Sequence, residues 1–129
     1  MAADAARRWL VVARADARLA EKALAEPDPL PAGAAYHVQQ AAEKAVKAAL
    51  VALGRTPPRT HDIEALGELL PADHPLRAEC LALGHLSYLN LAYRYPAADE
   101  LPEPEADEVA AWLEEVVALL ARLEALLGP

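Results

Sequence analysis

Phenylalanine is absent from the 129-residue chain, and cysteine, serine and asparagine each occur once. With Cys80 alone, no disulfide can staple the fold from within, and a reducing compartment is expected. Cys80 lies in an apolar run and reads as core filler, not as a nucleophile. Five scattered glycines form no phosphate-cradling loop, and the four histidines (His37, His61, His74, His85) show no HExxH spacing or clustering with cysteine. No metal site and no cofactor are therefore expected. The single serine, Ser87, falls in mid-helix and offers no nucleophile elbow. No apolar run approaches the roughly 20 residues that a bilayer span requires. Residues 1–8 lack the basic-then-apolar layout of a secretion signal. The expectation is a cytoplasmic protein with no membrane partner.

What the chain does contain is alanine and leucine at helical spacing, in a length that suits one domain over residues 1–129. Residues 3–25 read as a helix with Ala6, Trp9, Leu10, Ala13, Ala17, Ala20 and Leu24 on one face, ended by the proline-rich stretch at 27–31. A second helix, about 32–53, turns Ala35, Val38, Ala42, Ala45, Val46, Ala49 and Leu53 inward, and Gly54 stops it. Thr60 is placed to cap a short helix reaching about Leu70, with Asp62 and Glu64 in its first turn. A fourth helix is expected from about Pro75 to Tyr95, where Pro96 ends it. Its apolar character all round predicts burial on several sides. Pro104 then suits the first position of a last helix running to Leu127, with Val109, Trp112, Leu113, Val116, Leu120 and Leu123 inward. With no strand pattern and no internal repeat, the fold class is all-α: an antiparallel up-and-down four-helix bundle with an extra short helix. Leu81, Leu83, Leu86, Leu89 and Leu91 surround the fourth helix with more apolar surface than three neighbours cover, which predicts a homodimer.

Net charge is −8, unevenly spread: residues 1–60 carry nine Lys/Arg against six Asp/Glu, and residues 61–129 carry three against fourteen. Overall acidity argues against duplex DNA as a partner, since phosphate contacts require many cations. The asymmetry suits either an anion-facing first half or pairing between the halves. Arginine outnumbers lysine nine to three and amide side chains are few, a composition expected of a thermophile.

In so restricted an alphabet, uncharged polar residues stand out. His37, Gln40, Lys44 and Lys47 fall at i, i+3, i+7 and i+10 on the second helix, with Glu43 beside them. This stripe is either a polar groove for an anionic ligand or a solvated face with ordinary pairs such as Glu43–Lys47. Ser87, Asn90 and Arg94 share a second stripe at i, i+3 and i+7, followed by Tyr95. A partly buried Arg94 must meet a carboxylate, a carbonyl or a ligand phosphate.

Gln40-Ala-Ala-Glu-Lys-Ala-Val-Lys47, then Thr60-His61-Asp62, then Tyr93-Arg94-Tyr95-Pro96, together resemble the HEPN domain, named for higher eukaryotes and prokaryotes nucleotide-binding. The resemblance covers roughly residues 5–125. It implies a bundle of four to five helices, often a homodimer, and in prokaryotes a frequent pairing with a minimal nucleotidyltransferase, as companion subunit or in a toxin–antitoxin pair. Family members that are ribonucleases carry an arginine followed four to six residues later by histidine. Here no histidine follows Arg94 at all. Arg55 to His61 meets the spacing, but Pro57 and Pro58 make that segment a loop.

The reading is a non-catalytic module that binds a nucleotide or a nucleotidyltransferase partner, with His37, Gln40, Glu43, Lys44, Lys47, His61, Ser87, Asn90, Arg94 and Tyr95 as candidate ligand-binding residues. The alternatives are a degenerate ribonuclease toxin, with Arg94 stabilising charge and His61 or His37 moving protons, and a structural homodimer without a ligand.

Overall fold

A computed structural model describes residues 1–87 and 104–129 of the chain. The expectation of an all-α bundle holds: the described residues form helices α1 (Ala2–Ala23), α2 (Pro31–Ala52), α3 (Ile63–Glu68), α4 (Arg77–Ala82) and α5 (Ala106–Leu127), with a 3₁₀ turn at Gly84–Ser87 between α4 and α5. No described helix is long and apolar enough to cross a membrane.

The three long helices are packed against one another. Asp16 of α1 meets His37 and Lys44 of α2, while Trp9 meets Lys47. Earlier residues of α1 thus face later residues of α2, as antiparallel neighbours do. Arg7 reaches the Leu127 carbonyl and Arg14 pairs with Glu124, so α5 also runs antiparallel to α1. The inward faces read from the periodicity are largely those observed: Ala6, Leu10, Ala13, Ala17 and Ala20 of α1, and Val109, Val116, Leu120 and Leu123 of α5, are buried. Leu53 is an exception, standing exposed at the end of α2.

Among the described residues the most enclosed helix is α2. Ala34, Ala35, Val38, Gln39, every residue from Ala41 to Glu43 and every residue from Ala45 to Leu50 are buried. Its alanines let α1 and α5 close on it from different sides. That enclosure was concealed because an alanine-rich helix carries little hydrophobic contrast from face to face.

The expected fourth helix differs more. Helix α4 spans six residues, and at Leu83 the chain leaves α-geometry for the 3₁₀ turn. A close approach accounts for the break: a Cβ at Gly84 would lie 2.9 Å from the Glu64 Cβ, so the turn presses backbone against α3. Gly67 of α3 is matched to Leu81 in the same way, at 3.0 Å. Leu83, Leu86 and Cys80 are buried in the chain's own core, which removes part of the surplus apolar surface from which a homodimer was expected. Leu89 and Leu91 lie outside the described residues. Burial pushes the Cys80 thiol up to about 12, with Glu79 adding to the effect, so the thiol stays protonated and unreactive.

Helix α3 begins later than expected. Asp62, not Thr60, is its N-cap: the Asp62 carboxylate accepts from the Ala65 N–H at 3.1 Å, and the Thr60 hydroxyl accepts from the Asp62 N–H at 3.1 Å. The Asp62 carboxylate stands directly before Ile63, within reach of the first-turn donors. Between α3 and α4, the His74 Nδ1 accepts from the Leu76 N–H at 3.0 Å. His74 also borders an apolar cavity formed with Leu10, Ala49, Leu53 and Leu123.

Two outcomes follow from these contacts. Gly84→Ala forces the turn away from α3 and is expected to lower stability by about 1–3 kcal/mol. Thermal unfolding of the variant checks this, and a melting temperature equal to wild type would count against the close approach. Burial lowers the His74 pKa below its ordinary 6.5, opposed by Asp73. The unfolded chain then binds a proton that the folded chain refuses, so the His74 contribution is whole above pH 6.5 and is lost as the pH falls through the lowered value. From about pH 7.5 to about pH 5 the wild type should lose more melting temperature than His74→Asn, whose side chain keeps an acceptor without the charge. Equal losses would show that His74 does not titrate in this window.

Candidate functional site

Two buried carboxylates organise the polar face of α2. Asp16, on the otherwise apolar stripe of α1, has a side chain only 10% exposed. It receives His37 Nδ1 at 3.0 Å and Lys44 Nζ at 2.5 Å. His37 and Lys44 are seven residues apart, two turns on one face, so a single carboxylate spans both. The His37 ring also stands edge-on to Tyr36, with centroids 5.3 Å apart.

Glu43 holds the second network, with its side chain 5% exposed. Lys47 Nζ donates to Oε2 at 2.9 Å, while His61 Nδ1 lies 2.8 Å and Gln39 Nε2 3.3 Å from Oε1. Gln40 Nε2 in turn donates to Gln39 Oε1 at 2.7 Å. An ionised carboxylate can only accept, so His61 donates to Glu43 through a proton on Nδ1. His61 is 50% exposed, against 11% for Lys47. The network therefore runs from a dry interior to an imidazole at the surface. The Lys47 ammonium also stands 5.8 Å from the centre of the Trp9 ring.

The structure thus brings His37, Gln40, Glu43, Lys44, Lys47 and His61 to one region in two linked sets. The expected Glu43–Lys47 pair exists, but it is buried, neither solvated nor open to an anion. Lys44 and Lys47 are each matched by a carboxylate, so the stripe as a whole does not present free positive charge. Ser87 stands apart: its hydroxyl accepts from the Ile63 N–H at 2.9 Å and serves the start of α3. Asn90, Arg94 and Tyr95 lie outside the described residues. Arg55, which meets the arginine–histidine spacing with His61, donates to the Leu69 carbonyl.

Asp16 and Gln39 were missed as members of this region. Asp16 had a legible signal, a carboxylate at a position flanked by Ala13, Ala17 and Ala20 on the buried side of α1. Gln39 had less, because its full burial depends on how α2 is enclosed. Among the described residues no cluster of three or more metal-ligating side chains occurs.

Removing Glu43 strands a buried ammonium and frees Gln39 and His61. Glu43→Ala is expected to cost about 3–5 kcal/mol, whereas Arg14→Ala, which removes a half-exposed pair with Glu124, should cost at most about 1 kcal/mol. Chemical denaturation of both variants measures the contrast, and similar losses would mean that the Glu43 network contributes little.

The comparisons with known proteins agree with this architecture. The model of the HEPN domain family matches residues 6–125. A crystal structure of the protein TT1696 from Thermus thermophilus is similar to this chain, with 31% sequence identity, a TM-score of 0.70, and coverage of 93% of this chain and 96% of that one. No curated protein matches the chain. A family match over nearly the full length, on a helical bundle shared with a solved relative, establishes that the chain belongs to the HEPN domain family.

Proposed function

We propose that the chain is a non-catalytic, homodimeric module that binds a nucleotide or serves as companion subunit of a minimal nucleotidyltransferase, with a toxin–antitoxin pair as one setting for that partnership. The observation that supports binding is the rim of the α2 face. His37, Lys44 and His61 reach solvent there while each is anchored to a buried carboxylate. Side chains held in this way lose little freedom when a ligand arrives. The lack of any histidine after Arg94 supports the non-catalytic part. The partner role rests on family resemblance, and the dimer on Val11, Val12 and Leu19, which stand exposed on α1.

Thermal melts with ATP, GTP and their monophosphates test the binding. At a hundredfold excess over Kd, a rise in melting temperature on the order of 10 °C is expected, with no cleavage of RNA incubated alongside. No shift with any nucleotide at millimolar concentration would overturn it. Sedimentation is expected to give a dimer, and a monomer at micromolar concentration would remove that part.

One observation favours a second reading, RNA cleavage. Glu43 orients His61 so that Nε2 faces outward as a base, with the carboxylate behind it stabilising the imidazolium. Cleavage that disappears in His61→Gln would establish this reading in place of the first.

A further inference from the structure

Beside the Glu43 network a cavity of about 420 Å³ opens between α1, the end of α2 and the loop that follows it. That volume lies within the range of small-molecule sites. Trp9, Lys47, Arg55, Thr56 and Arg59 contribute to its wall, together with Pro57 and Pro58, and no carboxylate lines it. In a chain of net charge −8, a concavity with three cations and no acid stands against the general composition.

The three cations are not equivalent. The Lys47 ammonium is matched by Glu43. Arg55 donates to the Leu69 carbonyl, a neutral acceptor, which orients the guanidinium without cancelling its charge. Arg59 makes no hydrogen bond or ion pair among the described residues. Two guanidinium groups without an acidic partner among the described residues therefore flank Pro57 and Pro58, whose fixed φ angles limit how far the arginines drift apart. Guanidinium forks fit phosphate oxygens in pairs. Trp9 contributes an indole to the same cavity, with the Lys47 ammonium near its ring. Indole surfaces accept nucleobases by stacking, with little dependence on which base is present.

We infer that this cavity is a site for a nucleoside phosphate, with the phosphate on Arg55 and Arg59 and the base against Trp9. A planar ring joined to a phosphate is what a paired guanidinium and an indole select together; a simple carboxylate or an inorganic anion uses only half of the site. The inference rests on the nucleotide-binding reading but places the ligand in this cavity and not at the rim formed by His37, Lys44 and His61. Lys47 belongs to both the cavity and the Glu43 network, so occupation of one is felt by the other. The same chemistry occurs in a free nucleotide and in the 5′-phosphorylated end of a single-stranded RNA.

The test uses the intrinsic fluorescence of Trp9 in a Trp112→Phe background, with isothermal titration of the unaltered chain as a check that needs no substitution. The probes are adenosine 5′-monophosphate, ATP, adenosine, inorganic phosphate and a 5′-phosphorylated oligoadenylate. Saturable quenching of Trp9 by the monophosphate or the oligonucleotide is expected, with adenosine and phosphate each at least about 10-fold weaker. The Arg55→Ala/Arg59→Ala double variant, altered only at exposed side chains, should keep its helicity and lose affinity by about 100-fold. Binding of the oligonucleotide without the free nucleotides assigns the site to an RNA end, and the reverse assigns it to a free nucleotide. Nucleotide binding that survives the double substitution and leaves Trp9 unquenched overturns the cavity assignment while sparing the broader function. Absence of binding by any phosphorylated probe overturns both.

Discussion

Glu43 is a carboxylate that the fold cannot leave unpaired. It sits on the helix against which the other long helices among the described residues pack, where an isolated charge costs more than most single contacts return. Lys47 supplies the countercharge from one turn away, Gln39 a neutral donor, and His61 a donor from the loop beyond. Because His61 comes from a different segment, satisfying Glu43 also fixes where the chain passes after α2. The position of α3 and the walls of the cationic cavity are set from there. Asp16 repeats the arrangement between α1 and α2. Burying α2 and satisfying its polar groups are thus one structural requirement.

This explains why the region is at once polar, ordered and electrically quiet. Each carboxylate holds one lysine and one histidine, so the lysines along α2 present matched charge, whereas Arg55 and Arg59 beyond its end have no acidic partner among the described residues. The family relationship explains the bundle, but it does not by itself choose between these surfaces.

The long helices were legible because leucine and valine at helical spacing leave strong marks, as in α5, where Val109, Val116, Leu120 and Leu123 point inward as expected. The grouping of His37, Gln40, Lys44 and Lys47 was legible for the same reason, since one helix face needs only counting. Their partners were not: Asp16 lies 21 residues before His37, and His61 lies 18 after Glu43. Such distances in sequence carry no periodic signal. The end of α4 escaped for another reason. Gly84 reads as an ordinary interruption until Glu64 is known to lie against it, and only tertiary contact turns a missing side chain into a requirement.

The alanines of the α1–α2 seam have a consequence for how the protein tolerates change. Ala13, Ala17 and Ala20 on one side, and Ala34, Ala41 and Ala45 on the other, are buried and already at the smallest size that still favours a helix. The seam has no room to lose volume and little to gain it. Alanine scanning is blind along its length, while any added methyl group pushes two helices apart over several turns. Substitution at these positions is accordingly one-sided: along the seam the sequence is held by a steric floor and not by hydrophobicity.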